Sequence, residues 1–206
     1  MKIVVNSFFP QAKLLGVIKC AEDLTSTKNK IKNLHTFVSG VNIEFIISSS
    51  DLSLKTLQEI IRETLHEFTN LTNKGLSNFE IVLEETVLNA HEHGNLELES
   101  EWKNIYPEGE SISLFEKTKE ERLNLPEFAR RELKIQLTID TSKVELAVQD
   151  RGNGFQTGKI RSEVTGDPFG MGSMIVNNLM DEIRFNDKRN RITLAKHLNG
   201  KTPNQR

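Results

Sequence analysis

Three short segments of this chain carry residue types that bind charged or planar ligands. The first is Glu85-Thr-Val-Leu-Asn89-Ala-His-Glu-His93-Gly94-Asn95. Side chains four apart share a helix face, so Glu85, Asn89 and His93 are expected to form a polar stripe beside Val82, Val87 and Leu88. A helix laid on a sheet buries apolar side chains, and a carboxylate and an amide placed there need a partner. Mg2+ would be one, since it takes oxygen from one or two protein groups and keeps several waters; a solvated helix face is the alternative. The second segment is Asp150-Arg-Gly152-Asn-Gly154-Phe155, directly after a strand pattern. Alternate glycines let backbone approach a flat ligand closely, and an Asp accepts a hydrogen bond from an exocyclic amine such as that of adenine. An ordinary Asp/Gly turn is the alternative. The third is Phe169-Gly170-Met171-Gly172-Ser173, opening a helical pattern. The unpaired N–H groups of a helix start form a phosphate seat; a plain loop-to-helix junction is the alternative.

The elements that must position these segments follow from periodicity. Val41 to Ser48 is rich in β-branched residues and reads as a strand. Ser50 or Asp51 is the expected cap of a long amphipathic helix carrying Leu54, Leu57, Ile60, Ile61, Leu65 and Phe68. Asn70 to Gly75 breaks the pattern, and a second helix is predicted from Ser77 to about Gly94. Leu133 to Ile139 and Val144 to Val148 alternate around a turn at Asp140 to Lys143, which is a hairpin. A helix from Gly172 to Asp181 and a second hairpin, Ile183 to Phe185 and Ile192 to Ala195, complete the series. Strand, helix, helix, two strands, glycine loop, helix, two strands predicts an α+β, two-layer sandwich: one mixed β-sheet with helices packed on one face.

Two parts stand outside that series. Residues 1–40 form an N-terminal extension of unclear structure, in which only Met1 to Val5 reads as a strand; it holds six lysines against Glu22 and Asp23. Within the domain spanning 41–200, residues 96–132 are an insertion with ten acidic residues, Trp102, Tyr106, Pro107 and Pro126, expected to be mobile and to hold two short helices. With 206 residues and a net charge of -2, the chain has length for one well-filled domain and no bulk positive charge for nucleic acid. Its single cysteine, Cys20, supports neither a disulfide framework nor a thiolate zinc site. Without a signal pattern or a bilayer-length apolar run, a cytoplasmic protein is expected.

In order and spacing the three segments resemble the N-box and the two glycine boxes of the GHKL, or Bergerat-fold, ATPases, over about residues 41–198. The nearer likeness is to the bacterial anti-sigma-factor serine kinases. Their N-box has the form E-x-x-x-N-A-x-x-H-[AG], which Glu85 to Gly94 fits at every fixed position. Met180-Asp181-Glu182-Ile183 and the strand Ile192 to Leu198 are similar as well. The resemblance implies ATP and Mg2+ as ligands. Asn89 would hold Mg2+, Asp150 would read the adenine amine with Gly152 and Gly154 shaping the pocket, and Gly170, Met171 and Gly172 would meet the phosphates. His93 would belong to the site by orienting the helix end, and Glu85 would be the base for a partner's serine. Glu84 lies about 100° around the helix from Glu85 and is the poorer candidate. The implied partners are a sigma factor and a STAS-type antagonist, with a homodimer as the usual assembly of the related kinases.

The chain departs from those kinases at three places. Only Lys159 and Arg161 remain between Gly154 and Gly170 to reach a γ-phosphate, Asp167-Pro168-Phe169 precedes the second glycine box, and the family's Gly-Thr pair reads Arg189-Asn190. Two further functions therefore stand beside the serine kinase: a GHKL module that binds nucleotide and acts through protein contacts, and a histidine-kinase-type catalytic module. A phosphoacceptor helical hairpin is absent from the sequence pattern, which disfavours the last. A zinc site of His91, Glu92 and His93 is disfavoured because adjacent helical side chains diverge.

Overall fold

The computed structural model describes residues 2–8, 18–20, 40–154 and 171–198. Seven strands form one sheet: β1 (Lys2–Phe8), β2 (Ile18–Cys20), β3 (Gly40–Ser48), β4 (Glu132–Ile139), β5 (Lys143–Gln149), β6 (Glu182–Phe185) and β7 (Arg191–His197). Their order is β2-β1-β3-β4-β5-β7-β6. The α-helices are α1 (Leu54–Phe68), α2 (Asn73–Asn89), α3 (Leu114–Asn124), α4 (Pro126–Ala129) and α5 (Met171–Leu179).

The sandwich follows from alternation. In β3, Val41, Ile43, Phe45 and Ile47 are buried to the last percent, and in β4 Leu133, Ile135, Leu137 and Ile139 match them. The registers Val41↔Ile139 and Phe45↔Ile135 place these residues side by side on one face. Onto that face α1 brings Leu57, Ile60, Ile61 and Leu65, and α2 brings Phe79, Val82, Leu83 and Val87. Each such side chain contributes roughly 1.5–3 kcal/mol on burial. Two threonines sit in this apolar layer without orphaned hydroxyls: Thr64 Oγ1 donates to the Ile60 carbonyl (2.8 Å) and Thr86 Oγ1 to the Val82 carbonyl (2.6 Å). The other face of the sheet is polar, with Asn42 bonded to Thr138, Lys134 paired with Glu44 and Arg191 bonded to Gln136.

Helices on one face of a single sheet are as the periodicity predicts, but the expected mixed sheet is corrected: every pairing among the described residues is antiparallel. The connections explain this. Two helices, α1 and α2, run out and back between β3 and β4, so the chain re-enters at the end it left. Among the described residues between β5 and β6 lies the helix α5; β7 inserts between those two strands and bonds antiparallel to both, so β5 and β6 run in the same direction. Strands from before residue 41 extend the same sheet, with β1 paired along the length of β3.

Helix starts also differ from the expected ones. A short 3-10 turn, Ser49–Asp51, precedes α1, whose cap is Ser53. Helix α2 begins at Asn73, with the Thr72 hydroxyl accepting the Gly75 N–H. Gly75 therefore lies in the first turn and does not break the helix. The insertion holds α3 and α4 as expected, but it is packed: Leu96, Leu98 and Phe115 form a second small core with Trp102, Leu123 and Phe128 against it. No helix among the described residues is long and apolar enough to cross a membrane.

Candidate functional site

Helix α2 does not end at Asn89. It widens into a π-helical turn, Ala90–Asn95, in which the Leu96 N–H reaches back five residues to the His91 carbonyl (2.8 Å). A wider turn shifts the phase of the helix face, and the predicted stripe divides there. Glu85 and Asn89, before the widening, stay together: Asn89 Nδ2 donates to Glu85 Oε1 at 2.7 Å. His93, within it, turns to the insertion. Its Nδ1 lies 2.6 Å from the Leu98 carbonyl, its Nε2 3.4 Å from Ser100 Oγ, and its ring 6.2 Å from that of Phe115. The structure therefore places His93 against the insertion and not beside the Glu85–Asn89 pair.

His91 is buried and its Nε2 donates to the Ser49 carbonyl (3.1 Å), which fixes the proton on that nitrogen. Burial holds its pKa below the ordinary histidine value. Glu92 pairs with Lys119 (2.8 Å) and, more loosely, with Lys103 (3.9 Å). His91, Glu92 and His93 thus diverge to three separate partners, and among the described residues no three His, Cys, Asp or Glu side chains gather as metal ligands. Glu84 is exposed and bonded to Gln58, away from the Glu85–Asn89 pair.

Asp150 follows the last residue of β5 and is buried. Its Oδ1 accepts the Gly152 N–H at 2.7 Å. Burial raises its pKa above the ordinary carboxylate value, more than the bond from Gly152 and the nearby Lys188 and Arg131 charges lower it. The π turn closes directly on this carboxylate. A Cβ at position 94 would overlap the Asp150 side chain, and a Cβ at 152 would stand 2.5 Å from the Gly94 carbonyl oxygen. Glycine is needed at both for the first two segments to interlock. Gly154 has φ +83°, and a Cβ there would overlap the Lys188 carbonyl in the β6–β7 hairpin.

The third segment arrives through α5. Met171 is its first residue, and Gly172 lies so close to Glu85 that a Cβ would overlap the carboxylate. The first turn of α5, whose N–H groups have no intrahelical partner, thus stands against the Glu85–Asn89 pair. Gly170, Lys159 and Arg161 lie outside the described residues. A depression of about 440 Å³ lined by Lys2, Ile46, Ser48, Arg130 and Glu132 shares no residue with this group.

Two site residues had no role in the sequence reading. Asn95 is fully buried and its Oδ1 accepts the N–H of Arg151, at 2.8 Å. Asn190 is buried, donates from Nδ2 to the Asp150 carbonyl (3.0 Å), and accepts the Asp150 N–H on its own carbonyl (3.0 Å). The departure at Arg189-Asn190 is thereby explained: Arg189 takes the left-handed turn position at φ 57°, and Asn190 grips Asp150. An asparagine after the N-box glycine and another opening the last strand were the available signals, but neither spacing says what the amide meets.

The arrangement tests well for a nucleotide with Mg2+. With its nitrogen bonded to Glu85, Asn89 keeps its amide oxygen, a donor of the kind Mg2+ takes. The family described as Histidine kinase-like ATPase domain matches residues 47–196, well over half of the chain. No curated protein matches it.

Proposed function

Because the chain belongs to the histidine kinase-like ATPase family, whose domains bind ATP with Mg2+, we propose that it is an anti-sigma-type regulator that transfers phosphate to a serine of a STAS-type antagonist. In this reading a sigma factor is the protein it sequesters. The observation that carries the reading is the convergence of Gly172, Glu85 and Asn89. A base, a magnesium ligand and a phosphate-binding helix start are then neighbours.

Bound Mg2+ would neutralise charge on the phosphates. Asn89 offers it the amide oxygen. Asp150 accepts the adenine amine, and the interlocked Gly94 and Gly152 keep its carboxylate in place. The first turn of α5 offers N–H groups to the phosphates. Glu85 takes the proton from the partner's serine hydroxyl as the serine oxygen bonds to the γ-phosphorus. The bond to the β,γ-bridging oxygen breaks, and ADP leaves with that electron pair.

A module that binds nucleotide without transferring phosphate is the second reading. It is favoured by the Glu85 carboxylate being engaged by Asn89 and closed over by Gly172. The test is a calorimetric ATP titration with and without Mg2+, followed by incubation with labelled ATP and purified STAS-domain proteins. Label on a partner serine supports the kinase reading. ATP and partner binding without label leaves the binding module, and no ATP binding removes both.

A further inference from the structure

Asn95 ends the π turn with its side chain fully buried. Its Nδ2 donates to Ser49 Oγ (2.9 Å) and to the Arg131 carbonyl (3.2 Å), and its Oδ1 accepts the N–H of Arg151 (2.8 Å). Arg131 Nη1 returns a bond to the Asn95 carbonyl at 2.8 Å and pairs with Glu97 at 2.7 Å. Ser49 Oγ donates to the same Arg131 carbonyl (3.0 Å). One amide therefore joins four points of the fold: the end of α2, the turn after β3, the residue before β4, and the peptide that follows Asp150.

We propose that Asn95 is a positioning residue that sets base specificity by fixing the Asp150–Arg151 peptide; this rests on the nucleotide reading above. The Asp150 carboxylate is oriented at one oxygen by the Gly152 N–H. That bond holds a fixed direction only if the backbone between residues 150 and 152 does not move. Asn95 supplies the restraint from the helix side, and it is anchored to β3 and β4 through Ser49 and Arg131. Adenine and guanine differ at the exocyclic group that Asp150 faces: an amine donor in one, a carbonyl acceptor in the other. A site built to bond a donor rejects an acceptor only while its own acceptor stays aimed. Phosphate contacts are the same for both nucleotides, so loosening the peptide lowers discrimination more than affinity. Asn95 also closes the neck of the insertion, since it directly precedes residue 96 and bonds Arg131 near the far end, which ties base reading to the packing of that segment.

The experiment measures the dissociation constants of ATP and GTP with Mg2+ on the full chain. Asn95→Ala should reduce the GTP/ATP ratio about tenfold, the worth of one well-made hydrogen bond. Asn95→Ser carries the test if the alanine variant does not fold. Thr64→Ala, which loses a buried hydroxyl bond within α1, should lower the melting temperature and leave the ratio intact. If ATP and GTP weaken in parallel in Asn95→Ala and Asn95→Ser, or if Thr64→Ala loses the ratio as well, Asn95 is structural only and the proposal is overturned. If the wild type binds neither nucleotide, the nucleotide reading fails and this one falls with it.

Discussion

Asp150 carries its carboxyl group in a place that disfavours charge. Its burial raises the pKa, so the fold gives up stability to keep a carboxylate where a donor can reach it. Asp150→Asn should therefore raise the melting temperature of the free protein. It should also weaken ATP about 10- to 100-fold, the loss expected for a hydrogen bond to a charged group. Differential scanning calorimetry and nucleotide titration check the two signs; a lower melting temperature would mean that the Gly152 bond outweighs the burial. Asn89 makes a different claim. Its nitrogen is bonded to Glu85, and its oxygen is the atom a metal ion would take. Asn89→Ala should weaken Mg·ATP about tenfold or more while metal-free ATP changes little; equal losses would make the residue structural. Glu85→Ala should keep ATP binding and lower transfer to a partner serine by roughly 10²–10⁴-fold. Full transfer by that variant would remove Glu85 as the base.

At the scale of elements, the interlock of the π turn with the loop after β5 decides whether these residues meet at all. Gly94→Ala places a methyl group inside the Asp150 side chain. The turn or the loop must move, at a cost of about 1–3 kcal/mol, and ATP affinity should fall with it. Gly75→Ala in the first turn of α2 meets the flexible Leu71 side chain at 3.3 Å and the Thr72 hydroxyl at 3.6 Å and should leave both properties near the wild type. Denaturant midpoints and titrations of the two variants give the comparison. Much of this architecture was legible in the chain. The alternation of β3 and β4 and the apolar stripe of α1 are local patterns with a long run, and they sit where periodicity puts them. The widening of α2 was not legible, because a π turn changes phase without changing composition, and His93 left the stripe for that reason. The insertion reads as polar and acidic, yet six apolar side chains spaced over 33 positions are enough for a small core. Only the chain's path brings those six together. Asn95 and Asn190 were missed on similar grounds: their partners, Arg151 and Asp150, are 56 and 40 residues away.

For the molecule as a whole, the displaced pKa values predict a particular acid limb of the stability curve. Burial keeps His91 neutral below the pH at which the unfolded chain protonates its histidine, near 6.5. The unfolded state then binds the extra proton, so stability present above about pH 6.5 is lost as pH falls, with a slope of at most about 1.4 kcal/mol per pH unit. Asp150 works in the opposite sense. Its folded pKa is raised, so the folded state takes the proton first, and stability is gained between that pKa and the ordinary carboxylate value near 3.9. Asp140 and Asp181 act lower still. Partial burial pulls both upward, but the bonds from Ser142 and Lys143 to Asp140, and from Lys196 and His197 to Asp181, outweigh it and leave both pKa values depressed. The stability these two contribute is present above about pH 3.9 and is lost as pH falls through their folded values. Urea unfolding between pH 8 and pH 3 should then show a decline that begins near 6.5, eases where Asp150 protonates, and resumes below 4. His91→Gln, which keeps an N–H for the Ser49 carbonyl, should remove the first decline, and Asp150→Asn should remove the easing and steepen the curve between the two. A His91→Gln protein that keeps the wild-type slope between pH 7 and pH 5 would place the first decline in some other group, and would show that the proton excluded by the turn at Ala90–Asn95 does not set the acid limit of the fold.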